Sequence, residues 1–246
     1  MNIFSDASKK KKIAILFWGL TRSLNDVYDS LKTNIFDVLD KHNIEYDIFM
    51  HTYILPTPYT NPYVNTIIEN YDNNSYKLLN PKVYIIDNQH KVEHMLQIPK
   101  YFSNLSDWAG CATSFEKRCF FVRNMVLAQY SKKMVTSLFT PYKNDYDYVM
   151  FTRPDQALHT KINPSVFHLL NSDNIFIPKE HSYHGVNDRL CIARPNIAII
   201  YGNSFKFLLV YSENNAIISE VFLKRYLEIN NIHIIYNPIT ATLIRI

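Results

Sequence analysis

The chain is poor in glycine, with only 4 in 246 residues. Neither G-x-x-x-x-G-K-[ST] nor G-x-G-x-x-G occurs. A loop that cradles phosphates through closely approaching backbone N–H groups is therefore excluded, and any nucleotide must be held another way. Cysteine is equally scarce. Cys111, Cys119 and Cys191 form no C-x-x-C pair and no zinc-ligand spacing, and an odd, sparse set fits reduced thiols in a reducing compartment. Long apolar runs are missing as well. The longest, Ile13 to Trp18, is far too short to span a bilayer, and the opening MNIFSDASKKKK lacks the apolar core of a signal peptide. Charge of one sign is not in great excess: the net +4 is mild, and much of it lies in Lys9 to Lys12. A basic tetrad just ahead of a strand reads as a solvated flank. The 18 tyrosines and 15 phenylalanines carry no RNA-recognition signature. These absences predict a soluble cytoplasmic protein with no transmembrane segment and no nucleic-acid partner.

What is present is an ordinary globular composition, 47% hydrophobic and 20% charged, on a chain long enough to bury a substantial core. Ile13 to Trp18 is a buried strand, followed by the turn Gly19-Leu20-Thr21-Arg22-Ser23. Ser23 and Asp26 have the spacing of a capping box, and Leu24, Val27, Tyr28, Leu31, Ile35 and Val38 recur at helical spacing behind it. Tyr46 to Tyr53 is a second strand, and strand–helix–strand in this order predicts a right-handed parallel crossover. Residues 54–79, rich in Pro, Asn and Tyr, read as an irregular surface excursion. Strands are further expected over Lys82 to Asp87, Tyr148 to Phe151, Asn174 to Pro178, Asp188 to Ala193 and His233 to Tyr236, with helices over Phe115 to Phe139, from Pro195, and over Ser219 to Ile229. The reading is one continuous α/β domain, 1–246, with a central, mostly parallel sheet flanked by helices.

The most telling stretch is YDYVMFTRPDQAL. Pro154 cannot donate to a sheet ladder and stops the strand, so Arg153 and Asp155 emerge at the carboxyl end of a buried strand. In open α/β sheets ligands bind at that edge. A guanidinium with a carboxylate there suits a phosphorylated ligand, the carboxylate being able to hold a divalent metal, and a surface ion pair that caps the strand is the plain alternative. Thr21 and Arg22, in the loop after the first strand and beside a helix N-terminus, favour an anion.

An aliphatic strand followed by Gly19-Leu20-Thr21-Arg22, then YDYVMFTRPD, then HGVNDRLCIA, a Ser219-Glu220 helix start and Arg245 together form an ordered set. The set resembles the GT-A-fold nucleotide-sugar glycosyltransferases, in particular small viral and microbial members with an R-x-D version of the D-x-D motif. The resemblance is strongest over Tyr146 to Ile192 and weak over 54–112. A richness in Asn, Ile, Lys and Tyr agrees with an A/T-rich genome, and a viral chain would work in its host's cytoplasm.

The resemblance implies a nucleotide-binding half over about 1–155 and an acceptor-side half over about 156–246. It places Trp18, Gly19, Thr21 and Arg22 against base, ribose or diphosphate. Asp155 matches the last Asp of D-x-D, which would coordinate Mn²⁺ or Mg²⁺ bridging the donor's diphosphate. Arg153 stands where the first Asp belongs, and a guanidinium can stabilise the leaving diphosphate itself. Arg245 would close over the diphosphate. On the acceptor side, Asp188 follows a turn-forming Gly-Val-Asn and is the expected general base, with Glu220 second. Asp188 paired with Arg189, and Glu220 complementing its helix dipole, are the alternatives. His181 and His184, in the same polar loop, rank low as ligands.

The implied activity is transfer of a sugar from a nucleoside-diphosphate-sugar donor to an acceptor hydroxyl, on a glycan, with an inverting outcome slightly favoured. A sugar nucleotidyltransferase and a non-catalytic nucleotide- or sugar-binding module are the alternatives. Base, sugar, acceptor and oligomeric state are not encoded in any motif.

Overall fold

The structure, a computed structural model, describes residues 10–56, 58–61, 66–69, 72–105 and 114–244. Eleven strands follow in chain order among these residues: β1 Lys12–Trp18, β2 Glu45–Ile54, β3 Tyr59–Asn61, β4 Thr66–Ile68, β5 Val83–Asn88, β6 Tyr148–Thr152, β7 Gln156–Leu158, β8 Asn174–Pro178, β9 Cys191–Ala193, β10 His233–Asn237 and β11 Ala241–Leu243. Seven of them form the central sheet in the order β10-β8-β9-β6-β1-β2-β5. β1 pairs in parallel with β2 and β6, β2 with β5, and β8 with β10; β9 alone runs against its neighbours β6 and β8. This is the mostly parallel, helix-flanked α/β sheet expected from the sequence. Its central strands are buried on both faces, and β1 and β6 accordingly read as near-continuous apolar runs.

The helices are α1 Leu24–Leu31, α2 Asp37–Lys41, α3 Gln89–Leu96, α4 Phe115–Phe139, α5 Pro195–Gly202, α6 Phe205–Ser212 and α7 Ser219–Ile229. They cover the sheet in two layers. Ile13, Ile15 and Phe17 of β1 pack with Leu24, Val27 and Leu31 of α1 on one face. Ala14, Leu16 and Trp18 pack with Val135 and Phe139 of α4, Ala198 of α5 and Leu223 of α7 on the other. The alternation along β1 is the period of 2 that sends successive side chains to opposite faces.

Several expectations change in detail. Ser23 makes no side-chain cap, so the capping box is not formed; its hydroxyl donates instead to the carbonyl of Ile244 at 2.7 Å. α1 and α2 are one continuous helical run through a π-helical turn, Lys32–Phe36. Within 54–79, the described residues include the antiparallel pair β3–β4 and a 3₁₀ turn, Ser75–Leu79. β9 begins at Cys191, leaving Asp188 in the preceding loop. β7 has no counterpart in the sequence reading, because its partner β11 lies more than eighty residues further along the chain. Cys111 lies outside the described residues, and of the other two thiols Cys191 is buried. Among the described residues no helix is long and apolar enough to cross a membrane.

Candidate active site

β1 and β6 lie side by side and parallel, and the chain leaves β1 towards β2 on the opposite side from β6. The crevice outside their carboxyl ends is thus a switch point, the place where open α/β sheets bind ligands. One cleft opens there, and Gly19, Arg22, Arg153, Asp188, Arg189 and Glu220 all contribute to its wall. Five of these were expected from the sequence. Arg189 was expected only as an ion-pair partner.

The β1 side is held from behind. Gly19 has φ +99°, a conformation that favours glycine, and its N–H donates to Ser131 Oγ on α4 at 2.8 Å. Ser131 Oγ also lies 2.8 Å from His51 Nδ1, and His51 Nε2 lies 3.1 Å from Asp87 Oδ2. Burial pushes the His51 pKa down, with Asp87 partly offsetting it, so the ring is neutral. A carboxylate only accepts, which places the imidazole proton on Nε2 and leaves Nδ1 to accept from Ser131. The order Ser–His–Asp is that of a nucleophilic triad, but Ser131 is fully buried. The chain of hydrogen bonds serves to fix the Gly19 turn.

Arg153 and Asp155 form a bidentate pair: Nε to Oδ1 at 2.8 Å and Nη2 to Oδ2 at 2.7 Å. Arg22 Nη2 is 3.5 Å from the same Oδ2. The Arg153 guanidinium also lies 5.2 Å from the ring centre of Trp18. Asp155 is 0% exposed, and its backbone carbonyl accepts from Ile244 N at 2.9 Å. Arg22 Nε is buried with no protein acceptor among the described residues. Two guanidiniums thus share one buried carboxylate, and both contribute to the cleft wall.

This donor set does not fit a resident divalent cation. Both Asp155 oxygens already accept from guanidinium groups, and the side chain has no exposure to the cleft. Hard cations need several oxygen ligands, and no cluster of three His, Cys, Asp or Glu residues able to hold a metal occurs among the described residues. Asp155 acts here as the anchor of an arginine clamp. Trp18 and Thr21 are also buried, behind the cleft wall and not on it. Arg245 lies outside the described residues; Ile244, before it, is fixed through Ser23 and Asp155.

On the opposite wall, the loop 181–190 packs onto the N-terminus of α7. Gly185 makes this contact possible: a Cβ there would overlap the carbonyl group of Glu220. Val186 N then donates to Glu220 O at 3.1 Å. The result brings Asp188 against Ser219, whose hydroxyl donates to Asp188 Oδ2. Glu220 is buried; burial first, and the Asp188 charge second, raise its pKa to about 7. Asp188 makes no ion pair with Arg189 among the described residues, and the Arg189 guanidinium has no protein acceptor there. His181 accounts for itself structurally: Nδ1 meets Tyr183 OH and Nε2 meets Ala241 O, each at 3.1 Å, tying the loop to β11. His184 is exposed, with φ 65°.

The end of the cleft beyond Gly19 and Leu20 is lined by Tyr53, Tyr59, Gln89 and Leu127. Tyr53 OH donates to Leu127 O at 2.7 Å, and Gln89 Nε2 donates to Glu93 Oε1 at 3.0 Å. These residues escaped the sequence reading because they lie on β2, β3, α3 and α4, elements that meet only in the fold. The cleft is therefore graded: aromatic rings and an amide at one end, guanidiniums in the middle, and a carboxylate pair with Ser219 at the other.

No protein-family model matches the chain, and no curated protein matches its sequence. Among solved structures, mouse xyloside xylosyltransferase 1 in its apo form resembles it at a TM-score of 0.42 and 9% identity, over 92% of this chain and 85% of that one. The apo-form glycosyltransferase GlyE of Streptococcus pneumoniae TIGR4 does so at a TM-score of 0.40 and 11% identity, over 92% of this chain and 45% of GlyE. Likeness at this level assigns neither activity nor substrate.

Proposed function

We propose that the chain is a glycosyltransferase that moves a sugar from a nucleoside-diphosphate-sugar donor to an acceptor hydroxyl, on a glycan. The observation that carries this reading is the graded cleft. A guanidinium clamp (Arg22 and Arg153 on Asp155) lies in the same crevice as the Asp188–Glu220 carboxylate pair. The aromatic and amide end suits a base. The clamp suits a diphosphate, since guanidiniums bind phosphate oxygens in bidentate fashion and stay charged. The carboxylates suit the sugar and the acceptor.

In the reaction, the acceptor oxygen attacks the anomeric carbon as the bond from that carbon to the diphosphate oxygen breaks. The acceptor proton passes to a carboxylate of the pair. Asp188 is the base in this reading, because it lies on the cleft wall with one carboxylate oxygen held by Ser219, whereas Glu220 is buried in the first turn of α7. Arg22, Arg153 and Arg189 face the charge that grows on the departing diphosphate. Pre-oriented donors of this kind contribute about 3 kcal/mol each to such a step. A base on the acceptor side fits inversion at the anomeric carbon. Arg245 keeps the role of a closing cation, and Arg245→Ala measures it through nucleotide affinity.

The test is thermal stability against uridine, guanosine, thymidine and cytidine diphosphates and their sugars, followed by transfer assays with the donor that binds. A ligand at about one hundred times its Kd stabilises by roughly 2.7 kcal/mol. Asp188→Asn is expected to abolish transfer while leaving nucleotide affinity intact. A fully active Asn variant removes Asp188 from the role. Binding with neither transfer nor donor hydrolysis points to a binding module, and pyrophosphate release from a nucleoside triphosphate and a sugar phosphate to a nucleotidyltransferase.

A further inference from the structure

Two side-chain amides reach the cleft wall from different elements. Gln89 opens α3 and is buried, and Asn124 lies on α4, one turn before Leu127. They are joined behind the wall. Gln89 Nε2 donates to Glu93 Oε1 at 3.0 Å, and Arg123 Nη2 donates to the same oxygen. Arg123 Nη1 in turn donates to Asn124 Oδ1 at 3.1 Å. One chain of hydrogen bonds, Gln89–Glu93–Arg123–Asn124, therefore crosses from α3 to α4 with an amide at each end. The ion pair in its middle is partly buried, and its guanidinium lies 5.7 Å from the ring centre of Phe120.

A side-chain amide can ordinarily turn end for end, exchanging a donor for an acceptor at the same place. Here neither amide is free to do so. A carboxylate only accepts, so the Gln89 atom that meets Glu93 is the nitrogen. A guanidinium only donates, so the Asn124 atom that meets Arg123 is the oxygen. The remaining atoms are opposite in kind: the Gln89 carbonyl oxygen is an acceptor and the Asn124 amide nitrogen a donor. Neither makes a hydrogen bond within the protein among the described residues.

We propose that the Arg123–Glu93 pair is a positioning device for base selection: it fixes the polarity of the Gln89 and Asn124 amides, so that the cleft reads one donor–acceptor pattern on a nucleobase edge. The inference rests on the glycosyltransferase reading only for placing a nucleotide in the cleft. Uracil and guanine present a ring N–H beside a carbonyl. Cytosine and adenine present the inverse, a ring nitrogen beside an amino group. Shape barely separates uracil from cytosine, whereas the wrong polarity sets donor against donor and leaves buried groups unpaired. Locked amides accept one member of such a pair and reject the other.

Calorimetry of the full chain with uridine, cytidine, guanosine and adenosine diphosphates tests this without any transfer step. The preferred base is expected to bind at least about tenfold more tightly than its inverse partner, the penalty for an unpaired buried polar group. Glu93→Leu frees the Gln89 amide and Arg123→Met frees that of Asn124. In each, the inverse base is expected to gain affinity until the preference falls to about threefold or less. That gain is the diagnostic, because damage to the fold does not tighten binding. Gln89→Ala should weaken the preferred base by about tenfold with no matching gain for the other. A preference absent from wild type, or unchanged in both lock variants, overturns the inference even if transfer proceeds normally. If the preference collapses as expected but wild type transfers no sugar, the amide lock stands and the glycosyltransferase reading falls. If no nucleoside diphosphate binds, both fall.

Discussion

Gly185 rests directly on the carbonyl of Glu220, so closely that no side chain fits between them. That contact seats the loop 181–190 on the first turn of α7 and brings Asp188 within reach of Ser219. Gly185→Ala must push the loop away from the helix. The expected result is a loss of about 1–3 kcal/mol in stability, typical of overpacking, with a larger proportional loss of transfer. Thermal melts and initial rates measured on the same preparation check both; an unchanged rate would separate the loop from catalysis.

The Glu220 carboxyl titrates near pH 7 in the fold, against an ordinary value of 4.5. A raised acid pKa contributes stability below the unfolded value, and that contribution is lost as pH rises through the folded value. Wild-type stability should therefore fall between about pH 4.5 and pH 7 and then level, by on the order of 3 kcal/mol. Glu220→Gln should flatten this segment of the curve. Urea midpoints across that range provide the measurement.

The arginine clamp predicts nucleotide binding that survives a chelator. Calorimetry with a nucleoside diphosphate should give the same Kd in EDTA and in manganese. Arg153→Ala should weaken binding by tenfold or more, on the order of 1.4 kcal/mol, and destabilise the fold by about 3–5 kcal/mol because Asp155 loses its main partner inside the protein. Binding that appears only with manganese would return Asp155 to the role of metal ligand.

Ser131→Ala leaves the Gly19 N–H and His51 Nδ1 without their shared partner. The expected cost is about 1–3 kcal/mol for unsatisfied buried groups, accompanied by a higher KM for the donor with kcat nearly unchanged. A lower kcat at constant KM would place the effect elsewhere in the cleft.

At the opposite edge of the sheet, Asp47 gathers Lys12, Lys82 and Tyr146 within 2.8 Å of Oδ2. Burial alone would raise its pKa, but these hydrogen bonds outweigh burial and bring it to about 2. The stability it contributes, about 2 kcal/mol, is complete above pH 3.8 and is lost as pH falls through 2. Asp47→Asn should be less stable at pH 7 and lose less on acidification, a comparison open to denaturant titration.

Much of this was legible in local pattern. The α4 boundaries, Phe115–Phe139, follow from apolar spacing, and the end of β6 follows from Pro154. Arg153, Asp188 and Glu220 fall in one cleft because strand ends and helix starts are where a sheet of this kind exposes chemistry. What could not be read was the non-local part. Ser23 satisfies the local rule for a cap, yet its hydroxyl is taken by Ile244. Asp155 satisfies a motif, yet its charge is taken by Arg153 and Arg22. His51 and Ser131 are unremarkable in sequence and acquire meaning only where β2, β5 and α4 converge.

The tie between Ser23 and Ile244 has a consequence for how the molecule folds. It joins positions 221 residues apart, and β1 must also wait for β6 to arrive beside it before the crevice exists. Such long-range closures are slow, because chain entropy is lost before the contacts repay it. The cleft is therefore expected to form late and all at once, with no functional half-molecule on the way. Substitutions in β10, at the outer edge of the sheet and off the cleft wall, should then lower activity by lengthening the time the chain spends without a site.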